Sequence, residues 1–259
     1  MHIENASGTH IVKNLTAKYG LDEVDVSDLY ILATKSKDIE FAAQSINQHM
    51  GPNSILLSIQ NGIGAKEKLL KYINRKNILL GVAEGFGASI KKPGCVAHAA
   101  MRLIRIGEIN GEITPRLMRL ARLWRADGFN VKVFKNIDQL IWEKLICNVT
   151  FSAPCSVFDY NIYELMRKKE CWEIALACAQ EAFDIAHAKK IQLRFKNLKL
   201  YVTKFGRKLG KSSPSMRQDY MAGKFTEIDS INGMIEVFGK KHGIRTPYNQ
   251  VLSSIIRSK

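Results

Sequence analysis

The sequence predicts two domains in series, an α/β domain over residues 1–134 followed by an all-α domain over 135–259. Three observations carry that reading. Short apolar runs alternate with helix-spaced segments from residue 28 to residue 83, whereas helical spacing alone holds from residue 137 onward. A chain of 259 residues that is 46% apolar is also long enough to bury two cores.

Leu29–Thr34 (LYILAT) reads as a buried strand, bounded by Asp28 and a lysine-rich turn. In 38–50 the apolar residues Ile39, Ala42, Ala43, Ile46 and Met50 follow helix spacing. Ser54–Ile59 is a second strand, closed by the turn Gln60-Asn61-Gly62-Ile63-Gly64, and a helix over 65–73 leads to a third strand at Ile78–Ala83. Strand, helix, strand, helix, strand at this spacing predicts parallel βαβ units. Further strands are expected at Met101–Ile109 and Asn130–Phe134, with a helix over 114–126 between them.

Helices are then expected over 137–151, 168–190 and 196–210. The segment Thr226–Phe238 reads as one helix, with Thr226 as cap and Ile228, Ile231, Ile235 and Phe238 as its buried stripe. Lys240, Lys241 and His242 followed by Gly243 form a C-terminal signal, and Thr246-Pro247 starts the last helix.

Composition excludes several classes. No apolar run is long enough to span a bilayer and no leader pattern opens the chain, so a membrane partner is not expected and the protein reads as cytoplasmic. The five cysteines lack metal-ligand spacing and read as reduced thiols, with no metal site. The formal net charge of +15 is unevenly spread: residues 1–50 carry four Lys/Arg against seven Asp/Glu, and 185–218 carry ten Lys/Arg with no acid. That stretch is either a phosphate-binding face or a solvated basic helix surface. No zinc finger or RNA-binding motif accompanies it, so nucleic acid is not the expected partner.

Three constellations have the chemistry of a site. The Gln60–Gly64 turn follows a parallel strand, where open α/β sheets bind ligands. Lys144, Asn148 and Ser152 recur at four-residue spacing and share one helix face. A lysine on a core-forming helix is suited to acid chemistry, because burial lowers its pKa; the competing reading is a snorkelling surface lysine. The third is Ser215-Met-Arg-Gln-Asp219 leading into Thr226–Gly233, where Glu227 would occupy the first turn of its helix and favour the dipole.

DLYILATKSKD (28–38), SIQNGIG (58–64), WEKLICN (142–148), PSMRQDYMAGKFTEIDSINGMI (214–235) and HGIRTPYN (242–249) together resemble the ketopantoate reductase (2-dehydropantoate 2-reductase) family. The resemblance implies a Rossmann-like N-terminal domain that binds NADPH and a helical domain that binds a 2-keto acid. It implies Lys144 as general acid and Glu227 as the carboxylate that orients the substrate's hydroxyl end. Asn148, Ser152 and Ser215 match substrate-binding positions, and Lys35 and Asn61 match cofactor-side positions. Ser152 stands where the family commonly has a second asparagine. The family's opening strand and G-x-G-x-x-G turn have no counterpart in these residues, so the expected Rossmann-like domain is shortened. The alternative is a non-catalytic family member that binds a partner, and the helical half has surfaces suited to a homodimer.

Overall fold

The computed structural model describes residues 1–5, 7–85, 87–100 and 102–259, apart from the side chains of 99 and 100. The chain divides into two compact units: residues 1–60 with 68–137, and residues 61–67 with 138–259.

The first unit opens on a hairpin, β1 (His2–Asn5) and β2 (Gly8–Ile11). β3 (Leu29–Leu32), α1 (Ile39–His49), β4 (Ile55–Ser58) and β5 (Ile78–Glu84) follow, and α2 (Ala65–Leu69), between β4 and β5 in the chain, starts in the second unit and ends in the first. Next come β6 (Gly87–Lys92), β7 (Cys95–Ala100), β8 (Leu103–Glu108), α3 (Pro115–Ala126) and β9 (Val131–Val133). The larger sheet has the order β3-β4-β5-β8-β9. β3, β4 and β5 run parallel, as the strand–helix–strand pattern predicts.

The next pairing differs from a purely parallel sheet: β8 lies antiparallel to β5, and β9 returns parallel to β8. Two hairpin-forming strands, β6 and β7, intervene between β5 and β8, so no helical crossover reverses the chain there. The strand expected from Met101 starts at Leu103, and Met101 itself lies outside the described residues. Leu57, Leu79, Ile104, Ile106 and Val131 pack against Leu117, Leu120 and Ala121 of α3. Thr114 caps that helix through Leu117 N at 3.3 Å, with Pro115 following at its first position. β3 forms one edge of the sheet, and Ile31 at its centre is half-exposed.

The second sheet, β2-β1-β7-β6, has no counterpart in the apolar pattern. All four residues of β2 and five of the six in β6 are exposed, so burial imposes no alternation on them.

In the second unit, α4 (Ile137–Val157) is followed by α5 (Ile162–Arg167), α6 (Lys169–Ala188) and α7 (Leu198–Leu209). α8 (Ser215–Met221), α9 (Asn232–His242) and α10 (Pro247–Arg257) complete it. Trp142, Leu145, Ile146 and Val149 of α4 pack against Cys178, Ala182 and Ile185 of α6 and against Ile235 and Phe238 of α9. Gly243 at φ +66° ends α9 in the left-handed conformation that only glycine adopts without cost. The exposed side of α7 carries Lys199, Lys204, Arg207 and Lys208. Among the described residues no helix is long and apolar enough to cross a membrane, and all five cysteines are free.

The single helix expected over Thr226–Phe238 is corrected. A 3-10 turn at Ile228–Ser230 is followed by a backbone break at Ile231 (φ −114°, ψ −97°), and α9 begins at Asn232. Among the described residues Thr226 makes no cap, and Glu227 precedes the 3-10 turn instead of lying in an α-helix's first turn. The stripe nevertheless survives, because Ile228, Ile231, Ile235 and Phe238 are all buried.

Candidate active site

α4 is the platform of the site. Its apolar side is locked by the core of the second unit, which fixes the helix's rotation. At about 100° per residue, Lys144, Asn148 and Ser152 then fall within about 80° of one another. Lys144 and Asn148 are half-buried, while Ser152 is buried and its carbonyl accepts Ser156 Oγ at 2.8 Å.

Lys144 Nζ donates to Asn61 Oδ1 at 2.8 Å, joining two residues separated by 83 positions. Burial strips water from the ammonium and lowers its pKa from 10.5 to about 8, against the opposing pull of the Glu227 carboxylate. Lys144, Asn61 and Glu227 are therefore one electrostatic group. Ser215 opens α8 and is exposed; among the described residues it makes no bond to that group. Lys35 belongs to the first unit, exposed at the turn after β3.

Two residues of the site escape prediction as functional positions. Ser230 accepts Ile63 N through its carbonyl at 2.9 Å and so pins the turn that carries Asn61. Gly62, at φ +82°, makes that approach feasible: a Cβ there would meet Ser230 O at 2.3 Å. Spacing along the chain gives no signal for the Ser230 contact, whereas the paired glycines do mark a close backbone approach. Gly62→Ala is therefore expected to add left-handed strain of about 1–3 kcal/mol and to displace Asn61 from Lys144. Urea unfolding measures the first effect and the pH midpoint of Lys144 labelling measures the second.

The first unit has groups that fit the nucleotide side of a nicotinamide cofactor. β3 and β4 run parallel, and just beyond their carboxyl ends Gln60 Nε2 donates to Thr34 Oγ1 at 3.4 Å beside Lys35. Polar side chains and a cation at parallel strand ends suit a ribose and its phosphate. In the second unit, Asn61 presents an exposed carboxamide on a turn whose glycines leave the backbone bare.

Comparison with known proteins converges on one family. Residues 1–111 match the family model "Ketopantoate reductase PanE/ApbA", and residues 136–259 match "Ketopantoate reductase PanE/ApbA C terminal". The chain is 27% identical over 234 residues to a 2-dehydropantoate 2-reductase of Streptococcus pyogenes, covering 90% of this chain and 76% of that protein. A PanE/ApbA family ketopantoate reductase from Ralstonia eutropha superposes with a TM-score of 0.89 at 25% identity, covering 99% of this chain and 83% of the other. D-mandelate dehydrogenase, solved with NADH and anilino(oxo)acetate, superposes with a TM-score of 0.89 at 26% identity over 100% of this chain and 84% of the other.

Proposed function

The chain belongs to the ketopantoate reductase family, and we propose that it reduces a 2-keto acid, with ketopantoate as the favoured substrate and NADPH as reductant. The observation that carries this reading is the Lys144–Asn61 hydrogen bond on a lysine whose pKa is lowered to about 8. A bound reduced nicotinamide would supply a hydride to the 2-carbon. The reaction then needs one proton, and Lys144 gives it: an N–H bond breaks as the O–H bond of the product alcohol forms. A pKa near 8 leaves the lysine mostly protonated at neutral pH yet ready to release that proton.

The remaining residues bind and orient. Asn61 holds the ammonium toward the reacting oxygen by accepting one of its N–H groups. Glu227 accepts from the substrate's hydroxyl end, and Asn148, Ser152 and Ser215 supply further polar contacts. Lys35 lies on the cofactor side. The net charge of +15 favours the approach of both anions.

The test is direct: the full chain is mixed with NADPH and ketopantoate, and loss of the reduced cofactor is followed. Activity is expected to decline as pH rises through about 8, because Lys144 must be protonated to act. A flat pH profile between about 7 and 9.5, measured at saturating cofactor, would contradict the assignment.

Ser152 favours one second reading. A serine in place of the family's common asparagine shortens the polar reach on this face of α4, leaving room for a bulkier 2-substituent. The superposition with D-mandelate dehydrogenase directs that reading to aromatic 2-keto acids. A higher kcat/KM for phenylglyoxylate than for ketopantoate would select it.

A further inference from the structure

We propose that Asn232 is the positioning residue of this site: its buried carboxamide fixes the Glu227–Ser230 turn, and with it the Asn61 turn, against the helix that carries Lys144. The proposal rests on the reductase reading for its functional meaning, but its geometry stands independently.

The hydrogen bonds form a closed circuit. Lys144 Nζ donates to Asn61 Oδ1 at 2.8 Å, and two residues on Ile63 N donates to Ser230 O at 2.9 Å. Ser230 N donates to Glu227 O at 3.1 Å, which ties the carboxylate-bearing residue to the same turn. Two residues beyond Ser230, Asn232 Nδ2 donates to Val149 O at 3.0 Å, and Val149 lies on α4 beside Asn148. The circuit thus returns to the helix where it began, and Asn232 is its return link.

The orientation of Asn232 is dictated from behind. Asn249 spends its own N–H groups on Cys178 O at 3.0 Å and Glu181 Oε2 at 2.6 Å, so its oxygen must face Asn232. Glu181 also accepts Tyr248 N at 2.9 Å and Asn249 N at 3.0 Å, which anchors the start of α10. Asn232 therefore presents its amide nitrogen to two acceptors, Val149 O and Asn249 Oδ1, the latter at 2.8 Å. Both asparagines are fully buried; Asn232 Nδ2 has both its acceptors, whereas its Oδ1 has no hydrogen-bond partner among the described residues, so the donor side alone holds the side chain in place. A stabilising core would need none of this polarity; its placement between α4 and the Glu227 turn identifies the role as alignment.

Asn232→Asp tests the proposal, because it conserves size while replacing the donor with an acceptor that faces two oxygens. Leu252→Ala serves as the destabilised control, since Leu252 packs in the same core without belonging to the circuit. The primary readout is the pH midpoint of Lys144, obtained from the pH dependence of its labelling by acetic anhydride and read by peptide mass spectrometry. Asn232→Asp is expected to move that midpoint upward from about 8 by roughly one unit or more, and Asn232→Leu, which adds no carboxylate of its own to attract the ammonium, is expected to move it in the same direction, because water re-enters around the ammonium. It is also expected to lower kcat about 10- to 100-fold with a smaller change in KM. The control lowers thermal stability and leaves both unchanged. Asn232→Asp with a lowered Tm and an unmoved Lys144 midpoint overturns the proposal. Absence of turnover in the wild-type chain would count against the reductase reading alone, because the labelling midpoint still decides the positioning role.

Discussion

Lys144→Ala is expected to lower kcat/KM for 2-keto-acid reduction by about 10²–10⁴-fold, the range for loss of a positioned proton donor. The same substitution is expected to leave stability unchanged or raise it. Lys144's folded pKa lies below its unfolded value, so the ammonium is less comfortable in the fold than in water. Below about pH 8 it is charged in both states and the fold bears the full desolvation penalty; between about 8 and 10.5 the folded chain releases its proton first and stability rises with pH. Alanine removes the penalty. Lys144→Arg separates charge from proton transfer, because a guanidinium retains the field but does not release a proton near neutral pH. It is expected to bind the keto acid and to reduce it nearly as poorly as the alanine variant. Steady-state kinetics with thermal melts of all three chains checks both halves of the expectation.

Arg194→Ala is expected to have the largest effect on stability, about 3 kcal/mol. Glu143, the neighbour of Lys144, is 2% exposed, and Arg194 Nε donates to its two oxygens at 3.1 and 2.8 Å while Nη2 donates to Oε2. Arg194 N at 2.8 Å and Gln139 Nε2 at 3.0 Å complete the shell. Burial pushes the Glu143 carboxyl up, but the Arg194 hydrogen bonds outweigh it and hold the group below its ordinary 4.5. This pair therefore contributes stability above about pH 4.5 that is lost as pH falls through the lowered folded value. Without Arg194, burial prevails and the carboxyl is stabilised by protonation instead. The difference in unfolding free energy between wild type and Arg194→Ala should consequently shrink between about pH 7 and pH 4.5. Urea titrations at the two pH values measure it. The lower end of the range for a broken buried pair applies because half of the Arg194 side chain is solvent-exposed.

β4 and β5 were legible because they are buried on both faces, which writes ILL and ILLGV as unbroken apolar runs, and the edge strand β3 keeps the apolar run LYIL although Ile31 is half-exposed. The exposed hairpin at 2–11 and the β6 strand were not, since neither buries a face that would impose alternation. Helix α4 was readable from 3.6-residue spacing over 137–151 but continues to Val157, and spacing placed Lys144, Asn148 and Ser152 on one face without deciding between an acid and a snorkelling surface lysine. The Glu227 segment misled for a physical reason: its four apolar residues satisfy helical periodicity and are all buried, while the Ser230–Glu227 turn breaks the backbone between them. The Lys144–Asn61 bond spans 83 positions and lies within the unit that joins residues 61–67 to 138–259, and no local pattern carries that information. Asn232 likewise stood inside a recognisable block, but its function depends on Val149 and Asn249, each reached only through the fold.

The central claim is that Lys144 protonates a 2-keto acid reduced at this site. Its most direct test is the oxidation of NADPH by the full chain in the presence of ketopantoate or another 2-keto acid, compared with Lys144→Ala. Stoichiometric formation of the 2-hydroxy acid by wild type, with a loss of at least about 100-fold in the variant, is the predicted result. Equal turnover by both chains, or none by the wild type at enzyme concentrations comparable with substrate, would contradict it.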